Sequence, residues 1–146
     1  MKVLSENRRA KFDYETLDTY EAGIELLGTE VKSAKLGRIN LSGGHAIVRK
    51  DGVWLVGIEI PAYQPKNAPQ DFDAKRTRRL LLHASEIKNL IGKLHEKGLS
   101  LIPLRAYLKN SLVKIELGLA RSRKKHDKRE LLARRAHERE IRERER

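Results

Sequence analysis

The five histidines, His45, His83, His95, His126 and His137, are scattered along the 146 residues and fall into no HExxH, GxSxG or phosphate-cradling glycine pattern. "SGGH" at Ser42 to His45 reads as a Gly-Gly turn entering a strand, not as a nucleophile beside its base. Glu15 with Asp18, and Asp71 with Asp73, read as solvated carboxylates. With no cysteine there is no thiolate, disulfide or Cys-based zinc site. The expectation is a protein that catalyses nothing and holds no metal or cofactor.

What remains is cationic chemistry. Lys and Arg number 32 against 20 Asp and Glu, a net charge of +12, and residues 121–146 hold 12 Lys or Arg against 6 acids, half of that surplus. Basic groups cluster in "NRRAK" at 7–11, in Lys32, Lys35 and Arg38, and in "KRTRR" at 75–79. Several such clusters point to a polyanion whose phosphates release counterions on binding. The chain has only seven aromatic residues. Trp54 and Tyr107 lie in apolar strand runs and read as buried, and Phe12 and Tyr14 read as core residues on one strand. A structured RNA gripped by shape and backbone fits this pattern better than a single strand read by stacking.

These groups must be carried by folded elements. Residues 1–11 read as a basic N-terminal arm, 12–120 as a barrel, and 121–146 as a basic tail. Strands are expected near 12–17 and 20–27, then a short helix capped by Thr29 and stopped by Gly37, with Lys32 and Lys35 on one face. "HAIVRKDGVWLVGIEI" reads as a hairpin turning at Asp51-Gly52. Residues 61–75, with three of the four prolines, read as a loop. "SEIKNLIGKLHEKG" has Ile87, Leu90, Ile91 and Leu94 at helical spacing, with Ser85 as cap and Gly98 as stop. A last hairpin turns near Asn110-Ser111, with Val113, Ile115, Leu117 and Leu119 facing inward and Pro103 at an edge or bulge. About six strands in hairpins with about three peripheral helices predict a mainly β fold, a small antiparallel barrel of the oligonucleotide-binding type.

The tail "RKKHDKRELLARRAHEREIRERER" contains helix-forming residues but has no apolar face, since Leu131, Leu132 and Ile141 do not repeat at core spacing. Asp127 and Glu130 resemble the start of a capping box, and Glu130–Arg134, Glu138–Arg142 and Glu140–Arg144 are i, i+4 pairs. Twenty residues of helix would span about 30 Å. Such a segment is expected to be coil alone and helix when bound. No run is apolar enough for a membrane span, and "MKVLSENRRAKF" lacks a signal-peptide core, so the reading is a soluble cytoplasmic monomer.

Taken in order, "NRRAKFDY", "TYEAGIELLGTEVKS", "GRINL", "KRTRRLLLH", "EIKNLIGKLHEKGLSLIPLRAYLKN", "VKIELGLA" and "KKHDKRE" resemble the small protein B family, the RNA-binding proteins of bacterial ribosome rescue by trans-translation. The resemblance runs from about Asn7 to Glu130. It implies a barrel that binds the tRNA-like domain of transfer-messenger RNA, with Glu21, Leu81 and His83 at family contact positions. Asn7, Arg8, Lys32, Arg38, Arg76 and Arg78 join them by charge and place within the matched motifs. It implies a tail that enters the vacant mRNA channel, with Lys124, Lys125, His126, Asp127, Lys128 and Arg129 at the decoding centre. Implied partners are the 30S subunit with its 16S rRNA and, through the RNA, elongation factor Tu and alanyl-tRNA synthetase. Ser111 and Ser122 depart from the family's glycines in the last hairpin and in the hinge before the tail. The competing reading is a ribosomal or ribosome-assembly protein that binds rRNA.

Overall fold

The computed structural model describes residues 1–95 and 98–144. In chain order the elements are β1 (Lys2–Glu6), α1 (Arg8–Asp13), β2 (Tyr14–Ile24), α2 (Gly28–Lys35), β3 (His45–Arg49), β4 (Gly52–Val56), a 3-10 turn (Pro65–Asn67), β5 (Arg78–Leu81), α3 (Ala84–Leu94), β6 (Leu99–Lys109), β7 (Leu112–Ser122) and α4 (Lys125–Arg144). The sheet order is β1-β6-β3-β4-β5-β2-β7, and an additional β6–β7 pairing closes it. The ring is therefore the expected small antiparallel barrel, its interior filled by Leu55, Ile58, Ile115 and Leu117, among others.

Three expected boundaries move. Residues 1–11 are not an arm: Lys2–Glu6 pairs with β6, from Lys2 opposite Leu108 to Glu6 opposite Arg105, and Leu4 packs on the core. Backbone pairing tolerates charged side chains that face water, so charge alone gives no sign of it. The two strands expected at 12–17 and 20–27 are one, β2, whose alternation is broken by a bulge between Thr16 and Asp18. Phe12 belongs to α1 and so shares no strand with Tyr14.

The cap of α2 is Leu27, not Thr29, with the Glu30 carboxylate accepting from Leu27 N–H at 2.8 Å. Gly37 ends that helix at φ +80°, as expected of a helix stop. In α3 the cap is His83, not Ser85, and Glu86 accepts from its N–H at 3.1 Å. Leu90 is fully buried there, but Ile91 faces outward. The 45–60 hairpin forms with Arg49 opposite Gly52, so Lys50 and Asp51 make its turn, one residue earlier than Asp-Gly. Pro103 sits at a β6 bulge, as its missing N–H requires.

On β7 the inward set Val113, Ile115, Leu117 and Leu119 is buried, but Gly118 and Ala120 are buried too. The outer side of that end is covered by a second small cluster of Ala10, Ile102, Leu104 and Ala120. A β-carbon on Gly118 would lie 2.8 Å from Leu104 Cδ1, so any larger residue there would displace the Leu104 side chain.

The tail is helical over Lys125–Arg144, although none of these residues is buried. It begins at Lys125, not Asp127, and Asp127 lies in the first turn, where its carboxylate accepts from Lys124 N–H at 3.3 Å. Among the described residues Glu130–Arg134, Glu138–Arg142 and Glu140–Arg144 do not close, whereas His126 and Glu130 approach to 3.5 Å. Exposed long side chains gain little from holding one geometry. The helix meets the barrel through Lys128, whose Nζ lies 3.1 Å from Asp13 Oδ1 and 5.7 Å from the centre of the Phe12 ring. No described helix is long and apolar enough to cross a membrane.

Candidate RNA interface

Glu21, far in sequence from the neighbouring Leu81 and His83, lines one shallow cleft of about 340 Å3 with them and with Gly23, Glu86 and Lys114. The sheet brings them together: Gly23 of β2 stands opposite Leu81 of β5 and opposite Lys114 of β7. Leu81 is half exposed, with its side chain lying over Gly23. His83 makes no side-chain cap bond at the start of α3, and it lines the cleft.

Glu21 is prepared from behind. Its Oε2 accepts from the Tyr107 hydroxyl at 2.5 Å, and Lys109 Nζ lies 3.3 Å from both carboxylate oxygens. The Tyr107 bond, with smaller help from Lys109 and Lys114, holds the Glu21 carboxyl below the usual glutamate range. Burial and the same hydrogen bond push the Tyr107 phenol up, so it stays protonated and remains a donor. Tyr107 is buried as expected, but Trp54 is only half buried.

Two expected contacts do not reach the surface. Asn7 is buried, and its side chain donates to Leu41 O at 3.2 Å and Pro103 O at 2.8 Å and accepts from Ala10 N–H at 3.1 Å. It caps α1 and pins it to the sheet. Arg78 is fully buried, donating from Nη2 to Glu30 Oε2 at 2.5 Å and from Nε at 2.8 Å. Arg76, about a third exposed, donates to the other Glu30 oxygen at 2.6 Å. Burial pushes the Glu30 carboxyl up, but the hydrogen bonds from Arg76, Leu27 N–H and Arg78 outweigh it and hold it low. This ion cluster fastens α2 to the segment entering β5. It leaves one positive charge beyond what Glu30 neutralises.

Arg8, Lys32 and Arg38 are exposed, with Lys32 Nζ 5.7 Å from the centre of the Tyr63 ring. In the tail, Lys124, Lys125, His126, Asp127 and Arg129 are exposed, while Lys128 is partly covered by its contacts with α1. Neither Glu30 nor the supports of Glu21, Tyr107 and Lys109, was visible as a site residue in the sequence, because each acts through a partner at least 46 positions away.

A basic antiparallel barrel, with a polar cleft across its β5, β2 and β7 strands and a cationic helix following β7, defines an RNA-binding barrel protein. The family model "SmpB protein" matches residues 4–146, and this chain belongs to that family. It is 55% identical to the SsrA-binding protein of Synechococcus elongatus, over 97% of this chain and 92% of that one. The SsrA-binding protein of Thermosynechococcus vestitus is 51% identical over 97% of this chain and 93% of its own. A chain of the solved structure described as "tmRNA-SmpB: a journey to the center of the bacterial ribosome" is 44% identical, with a TM-score of 0.70 over 86% of this chain and 87% of that one.

Proposed function

We propose that this protein binds the tRNA-like domain of transfer-messenger RNA and delivers it to stalled ribosomes, where α4 enters the empty mRNA channel. The observation that carries the reading is the convergence of Glu21, Leu81 and His83 on one cleft. Membership of a family whose relatives are named SsrA-binding proteins supports the choice of RNA. The surplus of +12 supplies affinity for its backbone.

In this reading Glu21 and His83 hydrogen-bond exposed base or ribose groups while Leu81 packs against the nucleotide between them. Arg8, Lys32, Arg38 and Arg76 then meet phosphates. Lys124, Lys125, His126, Asp127 and Arg129 face the decoding centre of the 30S subunit and its 16S rRNA, with His126 placed to stack on or hydrogen-bond a base. Elongation factor Tu and alanyl-tRNA synthetase are indirect partners, joined through the RNA. The protein works in the cytoplasm and carries out no chemical step itself.

Binding to a transcript of the tRNA-like domain, compared with rRNA fragments of equal length, tests this. His83→Ala should weaken binding by about 1–3 kcal/mol, the scale of a lost hydrogen bond with its partner left unpaired, without loss of thermal stability. Ending the chain after Lys125 should leave that binding nearly unchanged while abolishing peptide tagging on stalled ribosomes. Tighter binding to rRNA fragments than to the tRNA-like transcript would favour a ribosomal protein instead.

A further inference from the structure

The residues of β5 alternate, with Arg78 and Leu80 buried and Arg79 and Leu81 facing solvent. Leu81 lies in the cleft described above. Arg79, two residues back on the same face, therefore stands about 7 Å along the strand from it. Trp54 of β4 is directly opposite Arg79, whose guanidinium carbon lies 5.8 Å from the centre of the indole.

Asp51 holds both. Its carboxylate accepts from Trp54 Nε1 at 3.1 Å, and its carbonyl accepts from Arg79 Nη2 at 3.0 Å. A β-carbon on Gly52 would come within 3.3 Å of the Arg79 guanidinium, so the glycine leaves that group its place. Among the described residues Arg79 enters no salt bridge with a carboxylate. An exposed planar cation lying over a partly buried indole is surface built for a flat, electron-rich partner.

The cleft alone cannot draw a polyanion strongly. Glu21 and Glu86 face Lys114 within it, and Lys109 stands behind Glu21. Net attraction must come from flanking cations, and on this face Arg79 is in the strand that forms the cleft's wall.

We propose that Arg79 and Trp54 extend the RNA site, and that an unpaired base of the RNA held at Glu21, Leu81 and His83 stacks on this guanidinium–indole surface. The inference rests on the RNA-binding reading above. It assigns to Arg79 the exposed role that the sequence pattern gave to Arg78.

Trp54 is the only tryptophan in the chain, so its emission reports on this place alone. The full-length protein is titrated with the tRNA-like transcript and binding is followed by gel mobility and by tryptophan fluorescence. The emission should be quenched in step with the gel shift. Arg79→Ala should weaken binding about tenfold, the scale of one lost base stack. Arg79→Lys, which keeps the charge but not the plane, should remain weakened, and circular dichroism should find both variants folded. Unchanged emission on binding, wild-type affinity in Arg79→Ala, or full recovery in Arg79→Lys each overturns the stacking proposal while leaving the RNA reading intact. Wild-type protein that fails to shift on the gel overturns the RNA reading, and this proposal with it.

Discussion

The hydroxyl of Tyr107 on β6 donates to Glu21 Oε2 on β2 at 2.5 Å, reaching past β7, which lies between the two strands. This is the largest of the interactions that keep the Glu21 carboxyl below its ordinary value of 4.5. Tyr107→Phe should therefore move the Glu21 titration, read by carboxyl-carbon NMR, upward toward 4.5. A folded-state pKa below the unfolded one contributes stability that is complete above the unfolded value. That contribution is lost as pH falls through the folded value, and the variant should lose less of it on acidification.

Glu30→Ala should be among the most damaging single changes. It would leave the fully buried Arg78 guanidinium without a counter-charge, a loss of about 3–5 kcal/mol in urea unfolding. Because the carboxyl of Glu30 is held low, the wild-type protein should lose this contribution only in acid, as pH falls below 4.5 through the folded value. A Glu30→Ala protein with unchanged unfolding would mean that the ion cluster is structurally idle.

Asn110 and Ser111 both adopt positive φ, 50° and 64°, in the two-residue turn between β6 and β7. A left-handed backbone disfavours a residue with a β-carbon by roughly 1–2 kcal/mol. Ser111→Gly relieves that strain at a partly offsetting entropy cost, so the unfolding midpoint should rise by the equivalent of about 0.5–1 kcal/mol. A lower midpoint would show that the serine side chain supplies something the turn needs.

Leu132 is half exposed on a helix that buries nothing, so its substitution tests the helix rather than packing. Leu132→Pro removes a backbone donor at a cost of about 3 kcal/mol and changes no charge. Helical circular dichroism should fall, binding to the tRNA-like transcript should stay the same, and tagging of stalled chains should stop. Normal tagging by this variant would make the tail a flexible basic tether.

Hairpins are the legible part of this sequence, because alternation and turn residues are local signals. The 99–122 hairpin matches expectation down to its bulge at Pro103 and its turn at Asn110–Ser111. Boundaries are less legible where a partner far along the chain decides them. Nothing in "MKVLSE" announces that it will pair with residues 105–108. Charge misleads at Arg78, where an arginine expected at the surface is buried with a carboxylate 48 positions away. The alternation of "RRLLLH" does carry the correct answer, since an outward Leu81 requires an inward Leu80 and Arg78 and an outward Arg79. Asn7 is similar: a polar residue in a basic motif turns out to be a helix cap, and its neighbour Arg8 is the group that faces water.

Closing the ring through β7 joins chain segments about 100 positions apart, with Tyr14 opposite Ser122 and Gly23 opposite Lys114. Pairings so remote in sequence form late and place a barrel of this kind in the slow range of folding times, on the order of milliseconds to seconds. The 99–122 hairpin is the one long pairing with a short loop, so its contacts carry the smallest loop-closure cost for their number. A nascent chain cannot complete this barrel until β7 has been made, so the strand that closes the ring is also the one that leads directly into the tail.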